Sequence, residues 1–263
     1  MTAKPPGEVA IPSSRLVSQS FPIPNFHLPR TRNYHKAMNP QDGLKRLLLE
    51  FTVDPASIPG LKLQTYLRLL EKWNSRVNLT SSTSWEALEP LFREGVWAAA
   101  KYPSAPLKNG GAHLDIGSGA GFPALILHIF HPEMRLELVE SRGKKGAFLE
   151  TAAWELDLPE TQVHTRRLAG FLATCPPDKV WDCVSWKAIK LAGRDLLELG
   201  KHAGENSRFW MFHGREAAVE NAEALASGFV CDEKTPVPGQ KESFLSIYRP
   251  EKPLFHVKHP HES

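Results

Sequence analysis

A chain of 263 residues, 41% hydrophobic and 23% charged, can bury the core of one sizeable domain with an accessory segment. The formal net charge of +3 is only mildly basic, so an anionic partner such as RNA is permitted and has to be argued from local clusters of Lys and Arg. Three cysteines, Cys175, Cys183 and Cys231, show no CxxC spacing, which argues against a disulfide framework and a thiolate zinc site. No apolar run reaches the roughly 20 residues that cross a bilayer. The expectation is a cytoplasmic protein with no membrane partner and no metal.

The first 40 residues hold seven of the prolines and little periodicity, a composition that reads as a disordered extension, with Met38 as an alternative start. A helical cap is expected over residues 41–105. Leu44, Leu47 and Leu48 lead into a short helix, and Leu63, Tyr66, Leu67, Leu70, Trp73 and Val77 recur at helical spacing. That spacing predicts one amphipathic helix through "LQTYLRLLEKWNSRVNLT", residues 63–80. Thr83 and Glu86 have capping-box spacing, so a further helix should start there and bury Leu88, Leu91, Phe92 and Val96.

Over residues 106–250 short apolar runs alternate with helical patterns, which predicts an α/β domain with a mostly parallel, doubly wound sheet. Strands are expected at 113–116, 135–140, 162–165, 181–185, 208–212 and 244–248, and helices near 122–131, 143–156, 190–202 and 215–227. "RFWMFHG", residues 208–214, reads as a buried central strand. "CDEKTPVPGQKES", residues 231–243, reads as turn, so the last strand should pair antiparallel. Residues 251–263, with His256, His259 and His261, read as a flexible tail.

The first strand of this domain runs into "DIGSGAGFP", residues 115–123. A glycine-rich turn there lets backbone approach a ligand beyond the carboxyl ends of the strands. Gly117, Gly119 and Gly121 depart from the dinucleotide spacing G-x-G-x-x-G, and no GK[ST] follows for a phosphate loop. Asp115 would repel a pyrophosphate yet suits the amine of a cationic ligand. Glu140, at the end of the next strand, has the reach and acceptor capacity for both hydroxyls of a ribose. S-Adenosylmethionine unites amine, sulfonium and ribose, and is the ligand expected.

Three segments in order, "EKWNSRVNLT" at 71–80, "DIGSGAGFP" at 115–123 and "LVESRGKKGAFL" at 138–149, resemble the small-subunit ribosomal RNA methyltransferase G family, also called the glucose-inhibited division protein B family. The resemblance spans roughly residues 42–250 and implies a Rossmann-like class I methyltransferase that methylates guanine N7 of 16S rRNA. It further implies cofactor contacts at Gly117 and Phe122 in the first turn, with Glu140 as the ribose acid.

The family's R-x-E after the third strand falls on "TRRLAG", residues 165–170, where Arg166 or Arg167 matches the Arg. The Glu becomes Leu168 or Ala169, leaving the adenine to backbone groups. In "DCVSWKA", residues 182–188, Lys187 stands for the family's Arg and Trp186 for its Ser. Lys keeps the charge without the planar fork of donors, and Lys187 is expected among the cofactor contacts together with Arg167 and Leu168. Trp186 reads equally as a base-stacking residue and as core. "PLFREG", residues 90–95, keeps only Glu94 of a family motif that has Arg-His before its acid.

Guanine N7 has no proton to lose, so no general base is required and no catalytic residue is named. Asp182, Glu94 and Lys187 are candidates for positioning or for stabilising the cationic product. Arg142, Lys144, Lys145, Lys190 and Arg194 follow strands near one sheet edge and would track RNA phosphates. The expected partner is 16S rRNA or the small ribosomal subunit, met by a monomer. Two rivals remain: a methyltransferase for another RNA or a small molecule, and a ribosome assembly protein that binds the cofactor without using its methyl group.

Overall fold

A computed structural model describes residues 38–102, 111–215 and 228–251. The expectations for residues 1–37, for the helix after Arg215 and for the tail lie outside the described residues. Three helices come first: α1 (Pro40–Glu50), α2 (Ile58–Asn74) and α3 (Trp85–Lys101). Pro40, counted above with the extension, instead opens α1 behind the cap of Asn39, whose side chain accepts from the Gln41 N–H at 2.8 Å. Proline suits that first position, because its missing N–H would have no helical partner there.

Helix α2 stops at Asn74, six residues short of the predicted run. The Asn74 side-chain oxygen accepts from the backbone N–H of Leu79 at 2.8 Å and of Thr80 at 2.9 Å, which turns the chain back on itself. An amide side chain that competes for backbone donors ends a helix in this way. The start of α3 is also corrected: Ser84, not Thr83, occupies the cap position. Glu86 satisfies its own backbone N–H and then Ser84, which hold its carboxylate below the usual range.

The remaining elements are β1 (Ala112–Ile116), α4 (Ala124–Phe130), β2 (Arg135–Val139), α5 (Gly143–Glu155), β3 (Thr161–His164), α6 (Leu168–Leu172), β4 (Trp181–Lys187), α7 (Gly193–Gly200), β5 (Ala203–Gly214), β6 (Phe229–Pro236) and β7 (Ser243–Pro250). They form a seven-stranded sheet in the order β3-β2-β1-β4-β5-β7-β6. The first five strands pair in parallel, and β7 lies antiparallel to both β5 and β6. Strand β6 lies partly within the stretch read as turn. It is an edge strand whose charged residues form ion pairs, Glu233 with Lys101 at 2.5 Å and Asp232 with Arg249 at 2.9 Å. Such charges suit an unpaired edge and hide the alternation that marks a strand.

Apolar residues pack on both faces of the sheet. On one face α1, α2 and α3 share a continuous core with α4 and α5. On the other, α6 and α7 close over Leu114, Val184, Trp186 and Phe209. Trp186 is 1% exposed, so the base-stacking alternative gives way to the core one. The order of the strands reverses between β1 and β4, and in open sheets of this kind the ligand crevice lies outside the carboxyl ends at that point.

Candidate functional site

Register brings three sequence-predicted residues to one level of the carboxyl edge. Ile116 pairs with Val139 of β2 and with Trp186 of β4, so the next residues, Gly117, Glu140 and Lys187, emerge side by side. The glycines between β1 and α4 have φ of +70° at Gly117, +58° at Gly119 and +91° at Gly121, a region that side chains rarely adopt. Their surroundings differ. A Cβ at Gly121 would lie 2.4 Å from Leu125, and one at Gly117 2.9 Å from Ile189, so those two glycines make room for packing inside the protein. At Gly119 the nearest atom would be 3.6 Å away, and this is where a ligand can approach the backbone.

Glu140 is locked to that open glycine. One carboxylate oxygen accepts from the Gly119 N–H at 2.9 Å and the other from the Arg142 N–H at 2.8 Å. Each oxygen keeps a further lone pair, so the group can still accept from a vicinal diol. The geometry therefore fits a ribose, on the two counts of a fixed acceptor and an open backbone beside it.

Asp115 and Phe122 are both buried beside the turn. Asp115 is 2% exposed and faces into the sheet, where Ser185 Oγ donates to it at 2.5 Å and in turn lies 2.8 Å from His113 Nε2. Burial pushes the Asp115 carboxyl up to about 7 and the His113 imidazole down to about 3. A carboxyl held this way is a partner of Ser185 through one of its two oxygens. Phe122 joins an aromatic cluster with Tyr66 and Phe92, at ring-centroid separations of 5.2 Å, and is core.

Asp182 also moves out of the site. It stands at the start of β4, where its carboxylate accepts from the Ala112 N–H at 2.8 Å, at the opposite end of the strand from Lys187. Arg167 is exposed just before α6, and Leu168 is half-buried against the second core. Arg142, Lys144 and Arg194 are exposed, Lys145 is half-buried and Lys190 is exposed. All five follow the carboxyl ends of β2 or β4, on the side of the sheet where the crevice opens.

Lys187 does not point at solvent with them. Its ammonium pairs with the Glu94 carboxylate of α3, and Glu94 is 2% exposed. Desolvation raises the Glu94 carboxyl above its usual range although Lys187 opposes the shift. The pair borders a cavity of about 340 Å³ whose wall includes Ile189, Lys190, His213 and Ser243. His213 is held there by the Ser246 hydroxyl at 2.9 Å and the Gly214 carbonyl at 2.8 Å. Ile189 is also the side chain against Gly117, so this cavity adjoins the glycine turn.

Sequence reasoning missed Tyr66 as more than an apolar residue of α2. Its hydroxyl donates to the Ala120 carbonyl at 2.5 Å and clamps the turn from the cap side. A tyrosine among leucines on a buried helix face was the available signal, since a buried phenol seeks a partner. It also missed His213, Ser185 and Arg93, the last held between Glu89 and Glu50.

A family model described as rRNA small subunit methyltransferase G matches residues 61–242. Among similar proteins, the ribosomal RNA small subunit methyltransferase G of Nitrosomonas europaea is 34% identical over 206 residues, which are 76% of this chain and 90% of that protein. The protein of the same name from Paracoccus denitrificans is 31% identical over 166 residues, 62% of this chain and 80% of its own length. The one from Roseiflexus sp. is 45% identical over 103 residues, and there the match spans only 39% of this chain and 42% of the relative.

Proposed function

The chain belongs to the rRNA small subunit methyltransferase G family, and from that premise we propose that it transfers a methyl group from S-adenosylmethionine to guanine N7 in 16S rRNA. The observation that carries this reading is the Glu140 carboxylate, fixed by two backbone donors beside the open Gly119. With its remaining lone pairs it would hold the ribose hydroxyls, while the backbone after β3, at Arg167 and Leu168, would border the adenine. When bound, the donor supplies an electrophilic methyl group on a sulfonium centre.

The protein's own task is then to align and to shield. Guanine N7 presents an in-plane lone pair and no proton, so the reaction needs proximity and orientation, with no group removing a proton. The scheme assigns Asp115 no proton transfer; one of its oxygens accepts from Ser185 inside the sheet. Arg142, Lys144, Lys145, Lys190 and Arg194 would neutralise phosphates of the rRNA in the cytoplasm, fixing its register without reading its sequence. Among the described residues no helix is long and apolar enough to cross a membrane.

The test combines purified protein, radiolabelled S-adenosylmethionine and small ribosomal subunits that lack N7-methylguanine. Label recovered as N7-methylguanosine in 16S rRNA is the expected result. Cofactor binding with no label in RNA would contradict the proposal in favour of a noncatalytic assembly factor. Label confined to another RNA or a small molecule would replace the substrate.

A further inference from the structure

The cavity beyond β4 holds a carboxylate and an ammonium that touch each other, both facing a space beside the glycine turn. Among the described residues Glu94 pairs with Lys187 alone, through one oxygen. A buried ion pair of this kind seldom adds stability, since removing two charges from water costs about what their attraction returns. Its place on the wall of a cavity of about 340 Å³, in the size range of small-ligand sites, suggests work other than folding.

The two groups present a fixed order of hydrogen-bonding capacity. The Glu94 carboxylate offers two acceptors, and the Lys187 ammonium beside it offers donors. The Watson–Crick edge of guanine carries the complement in one line: two donors, the 2-amino group and N1–H, followed by the O6 acceptor. Adenine places an acceptor at N1 and a donor at its 6-amino group, which would face these side chains with like against like. We propose that Glu94 and Lys187 select the acceptor base, Glu94 accepting from N1–H and the 2-amino group of guanine and Lys187 donating to O6.

This inference rests on the methyl-transfer reading for its biological meaning, but its chemistry is a property of the cavity alone. Binding by that edge leaves N7 free. It also sets a carboxylate against a ring that gains positive charge on methylation, which favours the charged product. His213 and Ser243 close the cavity on the β5 and β7 side. A site that hydrogen-bonds a substrate group rejects the analogue lacking it, because its own buried polar group is left unpaired.

The experiment measures direct binding of guanosine monophosphate and inosine monophosphate to the full chain by ligand-observed NMR, with S-adenosylhomocysteine saturating the cofactor cradle. Inosine lacks only the 2-amino group. Wild-type protein is expected to bind the guanosine nucleotide about tenfold more tightly, and Glu94→Gln, which keeps the shape but replaces one acceptor with a donor, should erase that preference. Equal binding of the two nucleotides by the wild type, no binding of the guanosine nucleotide, or a preference that survives in Glu94→Gln overturns the inference. The wild-type comparison decides the matter even if the variant fails to fold. Failure of the methyl-transfer reading looks different: the nucleotide preference would be present while 16S rRNA acquired no label.

Discussion

The glycine turn after β1 and the cavity beyond β4 lie side by side at one edge of the sheet, yet one is assembled from near neighbours in the chain and the other from distant ones. Glu140 reaches back 21 residues to Gly119, across a single strand-helix-strand unit. Lys187 reaches 93 residues to Glu94, from the sheet to the helical cap. The first half is stiffened by backbone: two N–H groups orient its carboxylate, and two of its three glycines exist to admit packed side chains. The second depends on how α3 docks against β4, because its acid and its base come from different layers of the fold.

The comparison can be broken most forcefully at Gly121. Its positive φ and the 2.4 Å approach to Leu125 mean that Gly121→Ala adds both backbone strain and overpacking. A loss on the order of 4 kcal/mol is expected in urea unfolding. A loss below about 1 kcal/mol would show the turn to be more pliable than its packing indicates.

The next effect is a pH dependence. The Asp115 carboxyl, raised by burial to about 7 from 3.8, favours the folded state while protonated, so its contribution is lost as pH rises from about 4 through 7. His113 and His128, lowered by burial to about 3 and about 4, act with the opposite sign below their ordinary value of 6.5. Those histidines are common to wild type and Asp115→Asn and cancel in the difference. Asp115→Asn should therefore gain on the wild type by on the order of 3 kcal/mol between pH 4 and pH 8. Denaturation curves that stay parallel across that range would remove Asp115 from the buried titrating groups.

A smaller effect is expected at the clamp from the cap. Tyr66→Phe leaves the Ala120 carbonyl without its donor in a buried setting, at a cost of about 1 to 2 kcal/mol. Faster amide exchange at residues of the glycine turn should accompany the loss. Unchanged stability and exchange would mean that the cap does not brace the turn.

How much of this was legible follows from the same contrast. Alternating apolar runs gave the parallel strands, because buried strands in such a sheet carry continuous hydrophobic sequence. The positions of the glycine turn and of Glu140 were legible because both are local features, one turn and one strand end. The bond between Asp115 and Ser185 was not legible, because only the β1–β4 register brings the two side chains together. Phe122 was assigned by resemblance, and the aromatic cluster with Tyr66 and Phe92 that buries it comes from two other helices. Strand β6 was lost because an edge strand lined with ion pairs has the composition of a loop. Glu94 and Lys187 were each singled out by resemblance, but their pairing was not legible; only helix α3 resting on the sheet joins them.

The separate construction of the two halves is tested most directly by titrating S-adenosylmethionine calorimetrically into wild type, Glu140→Ala and Glu94→Gln. Loss of the charge-assisted hydrogen bonds at Glu140 should weaken binding by about 1.5 to 3 kcal/mol, whereas Glu94→Gln should bind the cofactor as the wild type does. Unchanged affinity in Glu140→Ala, or an equal loss in both variants, would contradict the account.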